Sequence, residues 1–362
     1  MTQPQGPGQP VPVVIVQHAH QHLVTEGYPN REGVLELYRA LSGLLRCHLE
    51  REIPIALHLS GTLVEAMVWH VPELAGCVRA VHEGGLLELV GSAYSQNVLP
   101  LFPDEVNRRQ LTESLGLYER HFGVPPEQVR CLWVPERVWD TGRLAHLVTD
   151  EALPNGGYRT VLLDDRHAYP IRPEWAGGST RYAFDEASAP SRARRGQPLD
   201  HPLPARDGRH LRPYRLADGH GLVVLPLSSE LRYCFPPQDE KASAHLARVV
   251  DSARAAGPGS VLAYGDDAER SVGVGAWGPR GWTADRLAPY SRALSWLASA
   301  SEVEPVLPST WLSRACVAHE RRIDPGTFYE LAMEGAGEDY GGWWNDPACV
   351  PIERGSSRSG RS

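Results

Sequence analysis

Two carboxylic acids in the sequence have neighbours that make them candidates for catalysis. Glu136 lies in the segment WVPERVWD, between Trp133 and Trp139, and Asp267 is the second aspartate of YGDDAE, about 130 residues further along. Both follow an apolar run of the kind that forms a buried strand. A carboxylate between two indoles is poorly suited to a solvated surface, and burying it without partners is costly. These positions therefore indicate chemistry.

Two carboxyl groups that face each other are what glycoside hydrolysis requires. One attacks or stabilises the anomeric carbon, and the other, with a raised pKa, protonates the leaving oxygen. Sugar rings have apolar C–H faces, so Trp277 and the two indoles beside Glu136 would serve as platforms. In the alternative, structural interpretation, Glu136 pairs with an arginine such as Arg137 or Arg130 and the tryptophans are core. Residue spacing alone leaves both interpretations open.

The elements that would position these acids form a repeating pattern. Seven short apolar runs alternate with segments of helical periodicity; the runs begin at Val13, Ile53, Leu86, Val129, Thr160, Gly221 and Ser260. Near-continuous apolar strands are typical of a parallel sheet buried on both faces, and the helices between them supply the crossovers. The sequence therefore predicts an α/β fold with a parallel sheet.

Polar side chains collect where these runs end. They are His18, His20, His58, Ser60, Glu136, Asp164, Asp165, Asp266 and Asp267. In parallel α/β barrels the carboxyl ends of the strands and the loops after them build the active site. Seven strands with polar groups at the same end predict a barrel with a polar mouth. Alternatively, some of these residues only cap the next helix, although Glu136 does not resemble an N-cap.

Composition and charge exclude several classes of protein. With 42% hydrophobic and 22% charged residues, the chain has the balance of a soluble globular protein. A net charge of -8 argues against a nucleic-acid partner. No apolar run is long enough to span a bilayer, and the start lacks the pattern of a signal peptide. The six scattered cysteines contain no CxxC pair and indicate reduced thiols. We expect a cytoplasmic protein without a membrane partner.

Four segments, in order, resemble the motifs of glycoside hydrolase family 57, the α-amylase and 4-α-glucanotransferase family. They are HAHQH at 18–22, GLLELVGSAYSQNVLP from Gly85, WVPERVWD from Trp133 and YGDDAERSVGVGAW from Tyr264. Two later segments, LPLSSELRYCFP and GTFYELAMEGAGEDYGGWWNDP, resemble later parts of the same domain. The resemblance implies a distorted, TIM-like (β/α)7 barrel, a helical region that completes the site, and catalysis with retention.

The resemblance also implies roles for individual residues. Glu136 matches the nucleophile and Asp267 the general acid/base. The other matched positions would contact the sugar: His18, His20, Glu88, Trp133, Glu269, Trp277 and Trp343, the last interchangeable with Trp344. A retaining mechanism predicts carboxyl groups about 5–5.5 Å apart. The sequence departs from the family pattern at His22, where the motif has proline, and after Arg270, where SVGVGAW replaces a Phe-Gly.

The family resemblance and the local composition together predict the domain organisation. Residues 1–12 and 351–362 are expected to be flexible tails because of their low-complexity composition. Residues 13–280 would form the catalytic barrel, with a long insertion at about 170–219 that is rich in Pro, Gly, Arg and Asp. Residues 281–350 would form the helical region.

The prediction is a retaining glycoside hydrolase or transglycosylase acting on α-linked glucan, with α-amylase, 4-α-glucanotransferase or branching-type activity and no metal or cofactor. Two alternatives stay open. HAHQH and the DD pairs resemble zinc sites of mannosidases and sugar deacetylases, but zinc leaves Glu136 and its tryptophans unexplained. The altered fourth motif suits a non-catalytic carbohydrate-binding or regulatory protein on the same barrel, although the presence of both carboxylates argues against it.

Overall fold

The computed structural model describes residues 9–20, 31–168, 208–274 and 281–327. Most of the predicted insertion and the 351–362 tail lie outside these residues, as do His22, Trp277, Trp343 and Trp344. The structural statements below concern the described residues.

The strands follow the predicted apolar runs. They are β1 Val11–Ala19, β2 Ile55–Leu59, β3 Leu87–Leu89, β4 Cys131–Trp133, β5 Thr160–Asp164, β6 Tyr214–Leu216, β7 Val223–Leu227, β8 Leu262–Asp267, β9 Val303–Pro305 and β10 Glu320–Arg321. Each of the seven predicted runs contains one of β1, β2, β3, β4, β5, β7 and β8. These seven are parallel and neighbour one another in that order, with β8 returning to β1. The predicted distorted (β/α)7 barrel is confirmed.

The barrel is joined less extensively at two places than elsewhere. Between β3 and β4 the connection is one parallel bridge, Gly91 with Leu132. Between β7 and β8 the ladder consists of the pair Leu227 and Ala263. The other junctions run over three to six residue pairs, so the barrel divides into a β8-β1-β2-β3 group and a β4-β5-β7 group.

Helices cover the outside of the barrel. They are α1 Arg31–Arg51, α2 Gly61–His70, α3 Pro72–Glu83, α4 Asp104–Phe122, α5 Thr141–Val148, α6 Ser229–Cys234, α7 Glu240–Ala256, α8 Ala268–Val272, α9 Ala288–Ser299 and α10 Pro308–Arg314. The segments 33–50, 105–123 and 240–257, which have helical periodicity in the sequence, correspond to α1, α4 and α7. Helix α4 ends at Gly123, whose φ of 70° is the left-handed C-cap conformation that favours glycine.

Alternation along the strands separates two apolar cores. Val14 and Val16 of β1 point into the barrel and join an inner cluster, whereas Val13 and Ile15 pack against the surrounding helices. Trp311 of α10 belongs to the inner cluster. Because β9, just before α10, pairs with the first residues of β1, this segment covers the amino end of the barrel.

The remaining strands lie beside the barrel. Strand β6 is antiparallel to β7, and β10 is parallel to β6. Strand β6 falls at the end of the segment predicted as an insertion, and the region predicted as helical contains α9, α10, β9 and β10 in its described part. Among the described helices none is both long and apolar enough to cross a membrane.

Candidate active site

Register brings three predicted strand-end side chains together at the mouth, the carboxyl end of the barrel strands. His18 of β1 is paired with His58 of β2 on one side and with Asp267 of β8 on the other. His18, His58 and Asp267 therefore lie at one level on three adjacent strands. His18 and Asp267 are partly exposed, whereas His58 is buried.

Glu136 follows β4 in a tight turn. It belongs to the short 3-10 segment Pro135–Arg137, and both Glu136 and Arg137 have a φ of 49°. The left-handed region is unfavourable for residues other than glycine, at a cost of order 1–3 kcal/mol each, and such strain clusters at functional sites. The Glu136 side chain is exposed although its neighbours in the turn are buried. The turn therefore directs the Glu136 carboxylate to solvent.

The turn is tied to a distant part of the chain. Thr327, fully buried, donates a hydrogen bond of 2.7 Å from its Oγ1 to the backbone carbonyl of Glu136. Next to it, Trp139 and Gly326 exchange two backbone hydrogen bonds of 2.8 and 2.9 Å. The end of the described chain therefore holds the turn that carries Glu136.

The two tryptophans beside Glu136 have different surroundings. Trp133 belongs to the inner cluster, and its ring lies 4.7 Å from the His18 ring at an interplanar angle of 6°. Trp139 is 0% exposed in the outer core, where its Nε1 donates to Thr141 Oγ1 at 2.9 Å. The expectation that Trp139 is a sugar platform is wrong, because the turn at Glu136 places its indole among the helices.

Arg137 lies behind the site and joins three strands. Its side chain is buried, its Nη2 donates to the Gly265 carbonyl at 2.9 Å, and its Nη1 lies 3.7 Å from Asp164 Oδ2. Its guanidinium carbon lies 5.1 Å from the Trp133 ring centre. Arg137 therefore brings one positive charge to a mouth rich in carboxyl groups.

Asp266 is held as an ion. It is buried, its Oδ1 accepts from Arg232 Nε at 2.9 Å, and its Oδ2 accepts from Arg270. Burial alone would raise its pKa, but Arg232, Arg270 and Arg137 outweigh burial and lower it. Asp266 is therefore ionised near neutral pH and unsuited to proton donation.

Asp267 differs from its neighbour. It is the N-cap residue of α8, but its side chain makes no capping hydrogen bond, so helix capping does not explain it. Burial and then the Asp266 charge raise the pKa of Asp267 to about 6, while Arg232 and Arg137 oppose the increase. The Glu136 carboxylate also raises this pKa. The two predicted catalytic acids are thus close enough to interact electrostatically.

Glu269 is a third acid at the same place. Burial and the charge of Asp267 raise its pKa to about 8, although its carboxyl accepts a hydrogen bond from the His20 backbone N–H. Near neutral pH the Glu269 carboxyl is therefore mostly protonated and is able to donate a hydrogen bond. The His20 ring is held separately, by 2.9 Å between its Nδ1 and Ser60 Oγ.

Glu88 lies deeper in the barrel than the other predicted site residues. It is paired with Ala56, two residues before His58, which places it about 7 Å below the mouth residues along the strand. Its Oε2 accepts a 2.9 Å hydrogen bond from the backbone N–H of Ser309, in the first turn of α10. Burial raises its pKa. The structure therefore connects Glu88 to the segment that covers the amino end.

The structure assembles several predicted residues and adds others. His18, His20, Trp133, Asp267 and Glu269 gather at the mouth, with Glu136 beside them. His58 and Asp164 were expected only as polar residues at strand ends and Arg137 only as a possible partner of Glu136, whereas Thr327 was not predicted. His58 is detectable from strand register, since it ends β2 as His18 ends β1. Within the described residues, no group of three or more His, Cys, Asp or Glu side chains is arranged to hold a metal ion.

A parallel barrel with three interacting acids at its mouth is a fold and site of the glycosidase kind, and sequence comparison identifies the family. The model of glycosyl hydrolase family 57 matches residues 31–314. The chain belongs to glycosyl hydrolase family 57, which confirms the resemblance seen in the motifs.

Two relatives and one solved structure define the similarity further. The chain is 28% identical over 267 residues to an α-amylase of Pyrococcus horikoshii, covering 72% of this chain and 33% of the relative. It is 26% identical to a 4-α-glucanotransferase of Thermococcus litoralis, covering 72% and 32%. The crystal structure of a 4-α-glucanotransferase from Thermococcus litoralis matches with a TM-score of 0.65 at 21% identity, over 90% of this chain and 43% of that one. The chain spans about a third of the length of these curated relatives.

Proposed function

We propose that the protein is a retaining glycoside hydrolase or transglycosylase that acts on α-linked glucan, with Glu136 as nucleophile and Asp267 as general acid/base. The observation that carries this proposal is the placement of Glu136, directly after β4, and Asp267, at the end of β8, at the same mouth of the barrel, with Arg137 next to Glu136 donating to the Gly265 carbonyl of β8. An exposed carboxylate beside an acid with a pKa near 6 is the division of roles that this chemistry uses.

The first step breaks the glycosidic bond. Glu136 attacks the anomeric carbon and forms a glycosyl ester, while Asp267 gives its proton to the departing oxygen. Asp267 is then an anion, and it takes a proton from water or from a sugar hydroxyl, which attacks the ester and releases Glu136. The incoming group decides between hydrolysis and transfer.

Several side chains would hold the sugar for this reaction. His18 lies opposite Asp267 on the adjacent strand, the His20 ring lies 6.3 Å from the His18 ring, and the protonated Glu269 is a donor near neutral pH. The parallel rings of Trp133 and His18 form an aromatic surface on the side of the mouth that faces the barrel interior. Their positions on neighbouring strands support binding of a single sugar ring between the two acids.

The choice of α-linked glucan rests on the relatives. The proteins matched over the barrel are named α-amylase and 4-α-glucanotransferase. The whole activity is a proposal because the matched region covers about a third of each.

Glu136→Gln tests the assignment of the nucleophile. We expect loss of turnover by at least about 10³-fold with little change in stability, because the side chain is exposed and its shape is kept. Chromatography of products from a panel of α- and β-linked oligosaccharides measures this loss and separates hydrolysis from transfer. Glu127→Gln, an exposed carboxylate before β4, is the matched control. Unchanged sugar release by Glu136→Gln contradicts the proposal, and binding of maltooligosaccharides by the wild type without any product indicates a non-catalytic protein.

A further inference from the structure

His18 and His58 are joined through the same ring atom of each. Their Nδ1 atoms lie 2.7 Å apart, and the two rings are inclined by 10°. A hydrogen bond between two imidazole nitrogens needs one N–H and one lone pair, so one of these Nδ1 atoms carries a proton and the other does not.

Gln96 decides which nitrogen carries the proton. Its Nε2 donates to the Ala93 carbonyl at 2.6 Å and to Ser92 Oγ at 2.9 Å, and the carbonyl contact fixes the orientation of the amide, since a carbonyl oxygen only accepts. The same Nε2 lies 3.4 Å from His58 Nε2. The amide nitrogen does not accept hydrogen bonds, so a proton on His58 Nε2 would meet no acceptor at this contact, and this nitrogen presents its lone pair.

The charge of His58 completes the assignment. Burial, and then the nearby His20, lower the pKa of His58 well below its ordinary value, so the ring is neutral near neutral pH. A neutral imidazole has one N–H. With Nε2 unprotonated, His58 carries its proton on Nδ1 and donates it to His18 Nδ1. His18 is left with its N–H on Nε2.

We propose that His58 is a positioning residue that fixes His18 in the Nε2–H tautomer, so that His18 offers the substrate a hydrogen-bond donor. The orientation of the His18 ring is fixed as well, because this ring also lies parallel to the Trp133 ring. The sugar oxygen that meets His18 must therefore accept. That a sugar is the ligand of His18 rests on the proposed function. The tautomer of His18, in contrast, is a property of the protein without substrate.

Three substitutions at His58 distinguish the hydrogen bond that His58 donates from the space that its side chain fills. In His58→Asn the amide nitrogen takes the place of Nδ1 and still donates to His18. In His58→Asp the carboxylate only accepts, so a neutral His18 has to place its proton on Nδ1 and loses the Nε2 donor. His58→Leu fills the space without either function.

We expect kcat/KM for a maltooligosaccharide to fall about 10- to 100-fold in His58→Asp and His58→Leu, the range of one lost hydrogen bond in a buried site. His58→Asn should recover most of this loss, to within about fivefold of the wild type. The control is His82→Leu, a partly buried histidine at the opposite end of the barrel whose Nδ1 contacts the Leu87 carbonyl at 3.0 Å. Equal activity of His58→Asp and His58→Asn in folded proteins overturns the inference.

Ring-nitrogen NMR tests the tautomer in the wild-type protein without substrate. In the histidine-labelled wild type near neutral pH, long-range ¹H–¹⁵N spectra should show His58 as the Nδ1–H form and His18 as the Nε2–H form. His58→Asp should convert His18 to Nδ1–H. A wild-type His58 in the Nε2–H form overturns the inference. If no α-glucan is cleaved by the wild type, the proposed function fails while the tautomer result still stands.

Discussion

Asp266 and Asp267 are adjacent in the chain, yet their carboxyl groups have opposite surroundings. Asp266 points outward from β8 to Arg232 and Arg270, and Asp267 points to the barrel axis beside His18. A strand turns successive side chains to opposite faces, so one aspartate becomes part of an ion cluster and the next an acid with a pKa of about 6. The pair shows that residue type alone does not assign the general acid.

The pKa of Asp267 predicts the pH profile of the reaction. Because Asp267 must be protonated to assist the leaving oxygen, kcat/KM should fall as pH rises through about 6. Asp267→Asn should lower kcat by about 10²–10⁴-fold on oligosaccharides and remove this limb. Steady-state rates across the range measure both. A wild-type profile that stays flat from about pH 5 to about pH 8 contradicts the assignment.

Glu269 predicts how stability depends on pH. Its pKa is raised in the folded protein from an ordinary 4.5 to about 8, so the folded state binds this proton more tightly than the unfolded state. The contribution is complete below about 4.5 and is lost as pH rises through about 8. The free energy of unfolding should therefore decrease over this interval, and Glu269→Gln should reduce the decrease.

Urea unfolding at the two ends of that interval measures this effect. Glu83→Gln, an exposed glutamate at the end of α3, is the control and should keep the wild-type slope. The same slope in Glu269→Gln as in the wild type contradicts the prediction.

At the scale of elements, the turn after β4 depends on a contact from residues near the end of the described chain. Thr327→Val keeps the shape of the side chain but removes the hydroxyl that binds the Glu136 carbonyl. Since the turn holds two residues at a φ of 49°, we expect it to relax. Stability should decrease by about 1 kcal/mol and kcat by roughly tenfold.

Thr327→Ser retains the hydroxyl and is the control for this contact. Thermal unfolding and kcat are measured for both variants. If Thr327→Val and Thr327→Ser have the same kcat, the contact does not position Glu136.

The sequence predicts the elements better than the turns between them. Apolar runs locate all seven barrel strands, since a parallel sheet buried on both faces needs such runs, and register then follows for His18 and Asp267. The conformation of Glu136 and the burial of Trp139 were not predictable, because they depend on Thr327 and Gly326, which are almost 200 residues away. The depth of Glu88 likewise depends on α10, whose position no local pattern indicates.

At the scale of the whole molecule, the barrel in this chain brings its candidate acids together within the described residues. Glu136 lies in the turn after β4, Asp267 ends β8 and Glu269 belongs to α8, all within residues 31–314, the region that matches the family. The matched region covers about a third of each of these curated relatives.

The β3–β4 and β7–β8 junctions, which have the fewest paired residues in the barrel, separate the two candidate acids. Glu136 belongs to the β4-β5-β7 group and Asp267 to the β8-β1-β2-β3 group, and each junction between the groups consists of one residue pair. The gap between the acids is therefore spanned by the fewest interstrand hydrogen bonds in the ring, reinforced by Arg137, which reaches from one half to the Gly265 carbonyl of the other. Any displacement of one half relative to the other would therefore change the distance between Glu136 and Asp267.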